Sequence, residues 1–463
     1  MSALGHVTPA AVGIGAPARL TRASIGRRAV EAVWLASFAG VAVAVYAATL
    51  ARDVTWQNGG GDGPELATAA YVWGVAHPPG YPLYLTVLRV AQLVPLGDIA
   101  LRSNAFSAFS AVLAAVLLYA TLRTLPTSRV AGNDWSGHVG ASFGAAVFAF
   151  APLVWSQAAV TEVYAFEAFL LSLFLLTLVR YWRAQSARRL LVAATTLGLL
   201  ISHHPPFAVA AVILGWSAFV SSRSWQTCLM TTLVPLLIAV ALFATVALRA
   251  SFQPWLNWGE PTTFGDWFAH VTALSYRGYF LSATLSEDAR RATYAAATLV
   301  RQGGWLATVL AAVGLGWLWQ QSRPVAVACC SLAAFFVVFA VLYNARDSIV
   351  YLAPAVTVVA LGAGLGATWL LRLLAPRAAV VLSIALLTSI AWQVRSGWPE
   401  VDVAHDRSAR EWATQRLQDL PDGAVVHVQV DDQLFALWYL QGVEGLRPDV
   451  VVVDDRLLAT PWF

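Results

Sequence analysis

Stretches of about twenty apolar residues recur along most of the chain, and a bilayer-spanning helix needs roughly that length. No other feature constrains the fold as strongly. A segment lying in hydrocarbon must satisfy its backbone N–H and C=O groups internally, which helices do and open sheets do not. Composition agrees: 59% of the 463 residues are hydrophobic and only 12% are charged, against about 25% charged in soluble domains. Spans are expected at about 29–51, 100–122, 138–155, 159–182, 226–249, 299–319, 324–343, 349–373 and 378–394. Residues 190–220 are interrupted by HHPP at 203–206. Proline ends a helix where it sits, so this region reads as two short helices meeting at the outer face. The fold class is an all-α polytopic membrane protein with about 11 transmembrane helices by the twenty-residue rule, followed by a small α/β soluble C-terminal tail.

Charge sets the orientation. The chain has no lysine, so all 29 cationic side chains are arginine. With the N-terminus inside, Arg123, Arg129, Arg180, Arg183, Arg188, Arg189, Arg223, Arg323, Arg372 and Arg377 fall in inner loops, opposed only by Asp134. This is the pattern of the positive-inside rule. Residues 1–26 are small, polar and rich in Gly and Pro, and read as a disordered cytoplasmic tail. Residues 27–394 make the transmembrane domain, with large outer loops at 52–98 and 250–297. The first apolar run is too long for a signal peptide and has no A-x-A site, so it reads as an uncleaved span. Within the first loop YPLYLTVLRVAQLVPL (81–96) reads as an interfacial helix. Residues 395–463 form an outer-face tail in which AVVHVQV (424–430) and DVVVVDD (449–455) alternate as strands do around a helical segment. The chain is thus expected to be a multi-pass protein of the plasma membrane, or of a bacterial inner membrane, with its N-terminus cytoplasmic and its C-terminus outside.

Some classes fall away. The arginines sit at helix ends without a basic stripe, so a nucleic-acid partner is not expected. Cys228, Cys329 and Cys330 lie in or beside spans and read as small core residues. Their spacing gives neither a disulfide framework nor a metal site.

The chemistry concentrates in DGPELATAAYVWGVAHPPGYPLY (62–84), directly beyond the first span. Asp62 and Glu65 either cap the helix that follows or supply a base for an acceptor hydroxyl, which must lie within reach of the proton it takes. The glycine run before Asp62 would then give an acceptor access to the backbone. His77, in HPPGYP, is either part of a rigid turn or an anion or proton partner. Glu162 caps its own helix or lines the site, since an ionisable residue at membrane depth is functional by default; Glu167, further into that helix, is ambiguous. His203 and His204 point in different directions on a helix and have no third ligand nearby, so they suit the polar lining of a cavity better than a metal. Arg346 and Asp347, in YNARDS, either pair with each other or leave Arg346 to hold a lipid phosphate, which suits its planar fork.

With these residues in view, the chain resembles bacterial members of the domain-of-unknown-function family that includes a eukaryotic protein O-mannosyltransferase. The matching segments are D-x-x-E followed by HPPGYPLY, RSNAFSAFSAV (102–112), TEVYAFEAF (161–169), SHHPP (202–206) and LWYLQGVEGLRPDVVVVD (437–454). The resemblance implies a GT-C membrane glycosyltransferase that uses a polyprenyl-phosphate-linked sugar, works at the outer face and inverts the anomeric centre. It maps the catalytic carboxylate of the first outer loop onto Asp62, with Glu65 as competitor. By position alone it maps a phosphate-binding arginine onto Arg346, with His77 beside it. Glu162, Tyr164, His203 and His204 are expected to line the cavity. The implied partners are membrane lipid, the polyprenyl-phosphate sugar donor, and a protein or glycan acceptor. The lipid-linked sugar is a substrate, and neither a cofactor nor a metal is indicated. A transporter or flippase is the rival from another class, but such folds show paired broken helices in internal repeats and here one clear break is seen, at HHPP. A non-catalytic envelope assembly protein is the other alternative.

Overall fold

The structure is a computed structural model that describes residues 22–125, 135–213, 215 and 224–463. Its helices are α1 (Arg22–Thr49), α2 (Gly63–Tyr71), α3 (Pro82–Gln92), α4 (Ile99–Thr124), α5 (Trp135–Ala149), α6 (Pro152–Ala158), α7 (Val163–Arg183) and α8 (Ala187–His203). There follow α9 (Trp225–Ser251), α10 (Phe264–Val271), α11 (Leu285–Arg301), α12 (Gly304–Gln321), α13 (Arg323–Leu342), α14 (Ala353–Leu373) and α15 (Pro376–Val401). The tail adds α16 (Ser408–Gln418), β1 (Val425–Val428), α17 (Asp431–Gly442) and β2 (Val451–Asp454). Local sequence sets many of these boundaries. Prolines occupy the first turns of α2, α3, α6, α13, α14 and α15, where the missing N–H costs no hydrogen bond. Asp98 caps α4 and Ser186 caps α8 through side-chain oxygens.

Among the described residues 7 helices are long and apolar enough to cross a membrane, or up to 9 if each of two bent pairs is one span. The chain is a multi-pass membrane protein. α8, with 17 residues, is the first of the short helices expected around HHPP, and residues 208–213 resume as helix beyond the break.

Several expected boundaries move. Residues 22–26, read as part of a disordered tail, already belong to α1, and residues 1–21 lie outside the described residues. The span expected at 138–155 bends by 65° between α5 and α6, with Pro152 opening the second piece. The span expected at 299–319 is the second half of another bent pair. α11 and α12 meet at 94°, with Gly304 at φ +72, a conformation that glycine adopts readily. α11 begins with a capping box of Thr284 and Glu287 and is rich in charge, so it extends the large loop past residue 297. α15 continues to Val401, beyond the expected end at 394.

The centre of the bundle is made by small residues. α12 crosses α14 so closely that a Cβ on Gly314 would meet the Gly362 carbonyl, and one on Gly366 the Leu310 carbonyl. α5 approaches α14 in the same way, Gly140 facing Thr368 and Gly144 the Ala360 carbonyl. Lipid tails are as apolar as leucine, so helices associate in a membrane through such close van der Waals contact rather than through a hydrophobic drive.

The tail folds as a β-α-β unit. β1 and β2 pair in parallel, Val425 opposite Val451 and Val428 opposite Asp454, with α17 as the crossover. Leu434 through Leu440 are buried, and α17 packs on α2. Polar ties fix this docking. The Tyr439 hydroxyl accepts from the Ala100 amide at 2.9 Å, Trp56 Nε1 donates to the Asp432 carbonyl at 3.0 Å, and Arg410 bridges Asp53 and Glu444. The tail is thereby part of the face that carries the first loop.

The α12–α14 crossing predicts that Gly314→Ala destabilises the purified protein by about 1–3 kcal/mol, the usual cost of overpacking, read as a lowered Tm in detergent. Gly316→Ala, whose Cβ meets nothing within 4 Å, should leave Tm unchanged; equal effects would place the tight contact elsewhere.

Candidate active site

After α1 the chain makes a 3-10 turn over Gln57–Asp62, in which Asn58 and Gly59 take positive φ of 58 and 73. The sequence-based expectation that the glycine run opens the backbone to an acceptor is not met; the glycines let other segments close upon it. A Cβ on Gly61 would strike the Asp432 carboxylate, and one on Gly63 the Thr161 carbonyl. Asp62 emerges between them as the N-cap of α2 but makes no side-chain cap bond, and its side chain is 42% exposed. Burial of its surroundings pushes the Asp62 carboxyl up to about 6; His77 opposes this, while Glu65, Asp347 and Asp431 add to it.

Glu65 is placed differently. It lies in the first turn of α2, fully buried, and both oxygens are engaged by one residue. Oε1 accepts from the His77 amide at 2.7 Å, and Oε2 meets His77 Nδ1 at 2.8 Å. The far ring nitrogen of His77 stands 3.8 Å from Asp62 Oδ2. Burial pulls the imidazole down, but Glu65 first and then Asp62 more than offset it, and the ring is pushed up to about 10. At neutral pH His77 is therefore a cation clamped between a buried carboxylate and a half-exposed one. Tyr81 and Trp258 flank it, with ring centroids at 5.4 and 6.3 Å.

The other sequence candidates form the adjoining wall. Glu162 is buried at the N-cap of α7, where Oε2 accepts from the Val163 amide at 3.3 Å and Oε1 has no partner. It caps its own helix, and burial holds its carboxyl well above the usual range, with the charge on Asp62 raising it further. His203 Nε2 lies 3.0 Å from the Val163 carbonyl, and its ring packs on Tyr81, Tyr84 and Phe166. His204 is bonded to Glu167, a partner the sequence did not indicate. Tyr164 and Tyr351 pack against His204 at 6.5 and 5.3 Å.

Arg346 and Asp347 are both exposed, and no ion pair joins them among the described residues. Their loop is held from beneath by Arg291 of α11, which donates to the carbonyls of Val341, Ala340 and Tyr343 and to Ser348 Oγ at 2.5–3.0 Å. Asp347 adds to the rise of the Asp62 and Glu162 carboxyls, and Arg346 opposes that of Asp432, so the charges of this loop act on the same acidic cluster.

Sequence reasoning missed the residues that other loops and the tail bring in. Trp258 contacts His77 on one side and Phe435, Trp438 and Trp462 of the tail on the other. His270 of α10 is buried under Gly80 of the HPPGYP turn, and burial pulls its ring down to about 4. Asp431 and Asp432 open α17. The density of Trp and Tyr in 250–297 was a signal for the first of these; nothing local marks the others. Among the described residues no group of three or more His, Cys, Asp and Glu side chains could hold a metal ion.

Glu65→Gln should keep the shape of the clamp while removing the charge that most raises His77. The His77 titration, followed by NMR of isotope-labelled protein, should then fall from about 10 into the neutral range or below. An unchanged titration would mean that Glu65 does not hold the charge.

Two family descriptions match the chain: protein O-mannosyl-transferase TMEM260 N-terminal domain over residues 62–228, and TMEM260-associated domain 2 over residues 409–463. The protein O-mannosyl-transferase TMEM260 of Mus musculus is 27% identical over 93% of the chain. A Dictyostelium discoideum protein of the same description is 24% identical over 47% of the chain and 28% of its own length. The chain spans 63% of the length of the mouse relative. ArnT from Cupriavidus metallidurans, solved bound to undecaprenyl phosphate, shares the fold with a TM-score of 0.61 at 15% identity, covering 93% of this chain and 91% of that one. The Archaeoglobus fulgidus oligosaccharyltransferase aligns with a TM-score of 0.55 at 12% identity, covering 90% of this chain and 62% of that one. The chain is therefore a multi-pass membrane protein that shares the fold of these structures and is similar in sequence to protein O-mannosyl-transferases.

Proposed function

We propose that the chain transfers a sugar, mannose or a similar hexose, from a polyprenyl-phosphate-linked donor to a hydroxyl of a protein or envelope glycan at the outer face of the membrane, with inversion. The observation that carries this reading is Asp62: a half-exposed carboxylate just beyond the first span, backed by His77 and the buried Glu65 that holds it. The similarity to O-mannosyl-transferases supports the reaction class. The undecaprenyl phosphate bound to ArnT supports a lipid-phosphate donor.

In this mechanism Asp62 takes the proton of the acceptor hydroxyl. With its carboxyl pushed up to about 6, it is ionised at neutral pH yet a better proton acceptor than an ordinary aspartate. The acceptor oxygen bonds to C1 of the sugar as the bond from C1 to the phosphate oxygen breaks, and the electron pair leaves with the lipid phosphate. Preformed cations aimed at that developing charge lower the barrier; His77 and Arg346 fill this role. Glu65, with both oxygens engaged, orients His77 and is not the base. Glu162, Tyr164, His203 and His204 line the space for the sugar. The N-terminus is cytoplasmic, and α2, α17 and the 343–348 loop lie outside, as the arginine distribution favours.

Asp62→Asn should lower turnover by more than ~100-fold, the scale of general-base catalysis, with Tm unchanged. The wild-type rate should fall as pH drops through about 6, because protonation removes the base. The assay is sugar transfer in right-side-out vesicles given the lipid-linked donor. Normal transfer by Asp62→Asn would sink the assignment, and transfer confined to inside-out vesicles would reverse the topology.

Arginine binds phosphate through a bidentate fork that lysine lacks. Arg346→Lys and Arg346→Ala should therefore both raise the apparent KM for the donor, alanine more strongly. If Asp347→Ala gave the same phenotype together with loss of folded protein, the arginine would be structural and the phosphate would be held elsewhere.

A further inference from the structure

We propose that the arginine-lined cavity between the far ends of α7 and α8 binds the phosphate headgroup of an anionic phospholipid. The site is independent of the sugar-transfer reading. α7 starts beside Glu162 and runs 21 residues to Arg183, about 31 Å at 1.5 Å per residue, so the cavity lies across the membrane from Asp62. Its volume is about 740 Å³, and Arg180, Arg183, Arg188 and Arg189 line it together with Thr124, Thr177 and Ser186; no carboxylate is among its described lining residues.

Two of the four guanidinium groups are tied to backbone carbonyls. Arg189 donates to the carbonyls of Arg180 and Ala184 at 3.3 and 3.2 Å, and Arg183 to that of Thr124 at 3.0 Å. Arg180 and Arg188 are exposed at the rim and make no ion pair among the described residues. The positive-inside rule accounts for arginines on this face, but not for their gathering around one chamber.

The lip of the chamber decides between a free anion and a lipid. Val192 lines it one turn inside the α8 span and is 45% exposed, and its neighbour Leu191 is 44% exposed. A cationic chamber with an apolar lip at the depth where hydrocarbon ends matches a phosphate carried on acyl chains. Inorganic phosphate would use only the chamber. Basic pockets between transmembrane helices on the cytoplasmic side take anionic headgroups in this way.

The test is native mass spectrometry of the full chain released from detergent, titrated with phosphatidylglycerol, with phosphatidylcholine of the same acyl chains, and separately with inorganic phosphate. Phosphatidylglycerol should bind about 10-fold or more tightly than phosphatidylcholine. R180Q/R188Q/R189Q should remove that preference, while R180K/R188K/R189K keeps part of it and Asp62→Asn keeps all of it. If the triple glutamine variant is not recovered folded, R188Q alone should lower the preference several-fold. Equal affinity for the two lipids, or an undiminished preference in the glutamine variants, overturns the proposal. Saturation by inorganic phosphate without any lipid preference overturns it in favour of a free-anion site.

Discussion

The contact between Glu65 and His77 organises the site face of this protein. It joins the first turn of α2 to the HPPGYP turn through two bonds of 2.7 and 2.8 Å made with a fully buried carboxylate. A buried charge is costly unless it is paired and hydrogen-bonded, and both oxygens of Glu65 meet that condition. The imidazolium that results lies within reach of Asp62, partly compensates its charge and leaves it half-exposed. Without the pair, Asp62 would be one more acid in a site already holding Glu162, Asp347, Asp431 and Asp432. Two carboxylates three residues apart thus meet different environments, one buried with both oxygens engaged and one half-exposed.

Around this pair the site is assembled from distant parts of the chain. α2 and the HPPGYP turn supply Asp62, Glu65 and His77; α7 supplies Glu162 and Tyr164; α8 supplies His203 and His204; the loop before α14 supplies Arg346 and Asp347. The β-α-β tail closes the arrangement, with Asp432 against Gly61 and three aromatic rings around Trp258. The tail is therefore structurally continuous with the site. Its docking rests on polar ties to the first loop, such as Tyr439 to the Ala100 amide, in addition to burial of α17.

Arginines mark the ends of α4, α7, α8 and α14 away from the site, whereas the site face holds His77, Arg291 and Arg346 among its acidic residues. Between them the helices meet through glycines at 314, 362 and 366, which let backbones touch where side chains would hold them apart. A rigid, closely packed bundle of this kind is what keeps side chains from separate helices at fixed distances on the site face.

The sequence by itself determined the all-α membrane architecture, because a hydrocarbon span demands long apolar stretches whatever the fold. It also marked the β-α-β tail, whose alternation is local, and it drew Asp62, Glu65 and His77 together, because they lie in one short stretch. It left Asp62 and Glu65 undivided, since burial and partnership are not local properties. Only the tertiary structure decided that Glu65 is engaged and Asp62 open, that Glu167 pairs with His204, and that Arg346 stands apart from Asp347. It alone revealed the sharp bend between α11 and α12 and the roles of Arg291, Trp258 and Asp432. These depend on contacts between residues far apart in the chain, and no periodicity or spacing encodes which helix ends will share one face of the bundle.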